Sequence, residues 1–99
     1  MSLATLLEEI RQERHYQDGR WGVVFDDKNT LNDWLTYIMI YGGQAARIDS
    51  APADQRRNLV KVATLAVAAL ESFDRNRQFA PRHYEDRVPV DTYQTEHRD

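Results

Sequence analysis

Cysteine is absent from this 99-residue chain. That single absence removes disulfide frameworks, zinc–thiolate sites, iron–sulfur clusters and thiol nucleophiles together. Glycine and proline are scarce, at four and three residues, which excludes collagen-like and low-complexity classes. No apolar run approaches the roughly 18 residues that a membrane span needs. The opening Met1-Ser2-Leu3-Ala4-Thr5 lacks the cationic start and long apolar stretch of a signal peptide, so the expectation is a cytosolic protein. Basic charge does not dominate either: 13 Lys and Arg face 16 Asp and Glu, for a net charge of −3. That balance argues against nucleic acid as a partner, since nonspecific binding needs a cationic surface. What is present, 41% hydrophobic and 29% charged residues, fits one globular domain. At this length a domain buries roughly 60 to 70% of its unfolded surface. Its core is thin, and a partner subunit would help it.

Leu3, Leu6, Leu7 and Ile10 recur at helical spacing, with Glu8, Glu9, Arg11 and Glu13 on the other side. Ser2 stands at the N-cap position, which predicts a helix over 2–17 that Asp18-Gly19 ends. Residues 19–29 show no clean period and read as an apolar loop carrying Trp21, Val23, Val24 and Phe25. Thr30-Leu31-Asn32-Asp33 resembles a capping box with Asp at its third helical position. It opens a second helix over 31–47. Gly42-Gly43 within that helix cost about 1 kcal/mol each relative to Ala, which close helix approach or a local kink would explain. Pro52 follows the turn Asp49-Ser50-Ala51 and suits the first turn of a third helix over 52–77. From Leu59 to Leu70 that helix is apolar nearly all round, the pattern of a central helix or one sandwiched at a subunit contact. Beyond Phe79 the chain turns polar and Pro-punctuated. The expected organisation is an all-α domain of three helices over 1–79 and an extended tail over 80–99, from which Tyr84, Val88 and Tyr93 could dock.

Few residues suggest chemistry. Asp26-Asp27 could hold a metal, although a solvated pair ahead of a helix cap explains them as well. His15, His83 and His97 have no ligand spacing between them. Glu71 and Asp74 share a helical face near Arg75 and Arg77, the arrangement of an ordinary surface cluster. Lys61 is the least comfortable residue, set among apolar neighbours. Such an ammonium must reach solvent, pair with a carboxylate, or meet an anionic ligand.

The order of these features resembles a known family. Glu13-Arg14-His15-Tyr16-Gln17-Asp18-Gly19-Arg20-Trp21-Gly22 is similar to the Glu-Arg-x-x-Gln-Asp-x-Lys-Trp-Gly opening of small MazG-like proteins, often encoded by phages. These belong to the all-α nucleoside triphosphate pyrophosphatase superfamily. Asp33-Trp34-Leu35 looks like the family's second helix. Leu59-Val60-Lys61-Val62-Ala63, running on to Leu70-Glu71 and Asp74-Arg75, looks like its third. The resemblance covers roughly residues 7–77 and implies hydrolysis of a nucleoside triphosphate to monophosphate and pyrophosphate. In the family magnesium is held by Glu-Glu-x-x-Glu on the second helix and Glu-x-x-Asp on the third, hard oxygen ligands suited to that ion.

In this chain the corresponding positions hold Ile40, Tyr41, Gln44, Asn58 and Lys61. None is a carboxylate, and one is a cation. The expectation is therefore a non-catalytic MazG-like protein that binds a nucleotide or other phosphate-containing ligand without metal or other cofactor. Lys61, Asn58 and Gln44 would bond the phosphate directly, and Tyr41, Tyr37 or Trp21 would stack on a base. Two alternatives stand beside it. One is a phage-type regulatory or interaction protein with no small-molecule ligand. The other is an active pyrophosphohydrolase with a magnesium site relocated to Asp26 and Asp27. Every version expects a homo-oligomer, dimer or larger, formed through helices two and three.

Overall fold

The computed structural model describes residues 2–81. Four helices account for most of them: α1 (Leu3–Arg20), α2 (Gly22–Asp27), α3 (Leu31–Ala45) and α4 (Pro52–Asn76). No strand occurs among the described residues, whose one β feature is an isolated parallel bridge between Thr30 and Ala80. The all-α expectation holds. Of the expected tail over 80–99, residues 82–99, with Tyr84, Val88 and Tyr93, lie outside the described residues.

Ser2 caps α1, its hydroxyl accepting from the Thr5 amide at 3.1 Å. The helix does not stop at Asp18-Gly19, as expected, but continues to Arg20. Side-chain pairs support the extra turn: Arg14 lies 3.8 Å from Asp18, and Arg20 donates to the Tyr16 hydroxyl at 3.3 Å. The residue that turns the chain is Gly22, with φ +84°, a conformation that any Cβ would strain. The expected loop over 19–29 is corrected in the same way, because Gly22–Asp27 forms the short helix α2. Six residues are too few for their period to stand out against a helix of 18.

The capping box at α3 is complete. Thr30 Oγ1 accepts from the Asp33 amide at 3.1 Å, and Asp33 Oδ2 accepts from the Thr30 amide at 2.9 Å. α3 ends at Ala45, two residues earlier than expected. Gly42 and Gly43 are not sites of close approach within the chain, since a Cβ at either would meet open space. α4 matches its expected span to within a residue and is capped by Arg77, which adopts the left-handed conformation with φ 62°.

α4 is the common partner of the other three helices. Ion pairs Glu9–Arg56, Glu13–Lys61 and Arg14–Glu71 climb both helices in the same direction, so α1 runs parallel to α4. The short 46–51 connection makes α3 antiparallel to it. The apolar core is small: Trp34, Leu65, Ala68 and Ala69 are buried, with Tyr37, Ile38, Tyr41 and Phe79 packed around them. The expectation of an apolar central helix is met on one side only. At about 100° per residue, Thr64, Leu65, Ala68, Ala69 and Ser72 share the buried side of α4. Leu59, Ala63, Ala66, Leu70 and Phe73 lie on the opposite side, where Leu59 is 59% and Leu70 60% exposed. Leu31, Leu35 and Met39 form a matching row on α3, and Met39 is 72% exposed. Both rows turn to the same side of the α3–α4 hairpin, away from α1.

Candidate functional site

The groove between α1 and α4 holds Lys61. It encloses about 520 Å³ and has two walls of opposite charge. Glu9, Gln12 and Glu13 stand on the α1 side, and Arg56, Arg57 and Lys61 on the α4 side. Lys61 Nζ lies 3.7 Å from Glu13 Oε2 and 5.5 Å from the centre of the Tyr41 ring. The ammonium is thus paired with a carboxylate and set over an aromatic face, which together explain a Lys in an apolar helix. Glu13 also accepts a long hydrogen bond, 3.4 Å, from the buried Gln17. Arg56 donates to both oxygens of Glu9 at 2.7 and 2.8 Å, holding that carboxyl below its usual range. Arg57 pairs with Asp54 at 2.6 Å. Every cation of the groove wall is therefore matched by a carboxylate of the same chain.

Of the six residues expected to bind a phosphate-bearing ligand, Lys61 and Tyr41 come together and the others disperse. Tyr37 donates to Asn29 Oδ1 at 3.5 Å. Trp21 stacks on Phe25 at 6.4 Å, with the Arg20 guanidinium 5.4 Å from its ring centre, and lies outside the groove lining. Gln44 is exposed and Asn58 half-buried, and neither lines the groove.

Asp26 and Asp27, the fallback metal ligands, are each taken by an arginine. Arg14, whose side chain is 12% exposed, donates to Asp26 at 3.1 Å and to Glu71 at 2.6 Å. Burial pushes the Asp26 carboxyl up from its ordinary range, against the pull of Arg14. Asp27 accepts from Ser72 at 2.9 Å and from Arg75 at 2.5 Å. The Arg75 guanidinium holds it below the usual carboxylate range. Glu71, which shares a helical face with Asp74, is the second acceptor of Arg14. Among the described residues no group of three or more His, Asp or Glu is placed to hold a metal ion.

The Arg14 hub and the Ser72–Asp27–Arg75 cluster escaped the sequence reading. Glu71 and Arg75 carried a signal in their four-residue spacing, but it pointed to each other rather than to α1 and α2. These clusters join three helices and are structural in their chemistry. No protein-family model matches the chain, and no curated protein or solved structure is significantly similar to it.

Proposed function

We propose that the protein is a non-catalytic interaction module that pairs with a second copy of itself through the bare side of the α3–α4 hairpin. One observation carries this reading. Leu31, Leu35 and Met39 of α3, with Leu59, Leu70 and Phe73 of α4, are all exposed, and no charged residue interrupts either row. At a rise of about 1.5 Å per residue and a helix spacing of about 10 Å, the face measures roughly 20 by 20 Å. That is about 400 Å², a size at which exposed apolar patches on small proteins are commonly functional. An uncharged apolar face is complementary to itself. Two hairpins meeting about a two-fold axis make a four-helix bundle and supply the core that one subunit lacks.

Light scattering tests the assembly. The parent is expected at twice the chain mass at micromolar concentration, and Leu35→Glu or Leu70→Glu at the mass of one chain. A monomeric parent overturns the reading.

The phosphate-ligand reading rests on the basic wall of the groove, with Lys61 beside Tyr41. Glu13 and Glu9 weaken it, because they neutralise the cations a phosphate would need. A thermal-shift screen of nucleotides with and without magnesium decides between the two, since a ligand at 100 times its Kd adds about 2.7 kcal/mol. The interaction reading expects no shift. A relocated magnesium site at Asp26 and Asp27 would require breaking both arginine pairs first.

A further inference from the structure

α1 and α3 are attached to α4 by different physics. α3 brings Trp34, Tyr37, Ile38 and Tyr41 onto Leu65, Ala68 and Ala69. α1 brings charge, and of its 18 residues only Gln17 is buried. Leu3 and Leu7 are exposed, and Leu6 and Ile10 are half-buried. The two halves of α1 are held unequally. Among the described residues, the ionic link of the N-terminal half to α4 is the forked pair of Arg56 with Glu9, whose side chains are 49% and 38% exposed. Around the middle stands the partly exposed Lys61–Glu13 pair. The C-terminal half is pinned by Arg14, whose side chain is 12% exposed and which bonds both Asp26 of α2, 9% exposed, and the half-exposed Glu71 of α4, and by the buried Gln17.

We propose that residues 3–12 form a charge-latched arm. When its ion pairs are screened the arm leaves α4, hinging at Arg14, and uncovers Arg56 and Lys61 on the groove wall. The unequal burial sets this behaviour. Salt weakens exposed pairs strongly and desolvated ones much less, so the Glu9–Arg56 and Glu13–Lys61 links fail while the Arg14 hub holds. Once undocked, a helical segment this short is below the length at which isolated helices persist, so release is accompanied by local melting. The device is independent of the dimer reading, because the arm lies on the other side of the hairpin from the apolar face.

Amide hydrogen exchange on the full chain tests it. Between about 0.02 M and about 1 M NaCl, where the screening length falls from tens of ångströms to about 3 Å, the amides of residues 6–12 are expected to exchange about tenfold faster. Those of α3 and α4 keep their protection. Glu9→Arg opens the arm at low salt, and the swap Glu9→Arg/Arg56→Glu recloses it. A salt response uniform across the four helices overturns the proposal. So does a Glu9→Arg variant whose residues 6–12 stay as protected as the parent's, or a charge swap that fails to restore protection.

Discussion

Individual residues differ sharply in what their replacement costs, and the difference follows burial rather than charge. Lys61→Met removes an ammonium whose partner, Glu13, retains access to water. The expected change in unfolding free energy is about 1 kcal/mol or less. Arg14→Met is expected to lose about 3 to 5 kcal/mol, because it leaves the buried Asp26 carboxylate without its cation. Urea melts of the two variants beside the parent check the contrast. Equal losses would mean that the groove pair and the hub are equally buried. The glycines separate as cleanly. Gly43→Ala meets open space in a helix interior and is expected to stabilise by about 0.5 to 1 kcal/mol. Gly22→Ala must place a Cβ at φ +84° and is expected to destabilise by about 1 to 2 kcal/mol. A thermal melt in which Gly22→Ala matches the parent would show that the turn between α1 and α2 can relax.

At the scale of the elements, the attachment of α2 responds to pH through two carboxylates. Arg75 and Ser72 lower the pKa of Asp27 from its ordinary value of 3.8. Its contribution is therefore present above that value and is lost as pH falls through the lowered folded-state value. Asp26 acts with the opposite sign: burial raises its pKa, so the fold takes up its proton more readily than the unfolded chain, and stability falls as pH rises through that interval. Acid titration of Asp27→Asn is expected to show a shallower stability loss below about pH 4 than the parent, whereas Asp26→Asn is expected to lack the stabilisation the parent gains as pH falls towards about 4. α2 was also the least legible element. The long helices were written in period, caps and Pro52, and their positions follow from the sequence to within a few residues. α2 is six residues long, its apolar side chains Val23, Val24 and Phe25 are exposed, and its anchors are polar contacts to residues 12 to 48 positions away. Local pattern carries no record of such contacts. The same limit applies to the groove. The discomfort of Lys61 was readable from its neighbours, whereas its partner Glu13 was visible only once α1 and α4 were seen to run parallel.

In the molecule as a whole, two surfaces of opposite character are arranged back to back on the α3–α4 hairpin. One side carries charges matched to α1 and α2, and the other is apolar and bare. A small chain with four buried core hydrophobes among its described residues has little stability to spare, so the melting temperature of the parent is expected to rise with protein concentration as mass action fills the apolar face. Leu70→Glu is expected to remove that dependence, and a concentration-independent parent would contradict the assembly reading. The bridge between Thr30 and Ala80 has a kinetic consequence. It ties the first residue of the α3 cap to the chain just after α4, so the hairpin closes on itself and holds nearly all of the apolar core without α1. Its contacts are mostly between neighbours across one short connection, the topology that forms fastest. Folding therefore begins in residues 30–80, and α1, although it precedes them in sequence, is the last of the four helices to find its place.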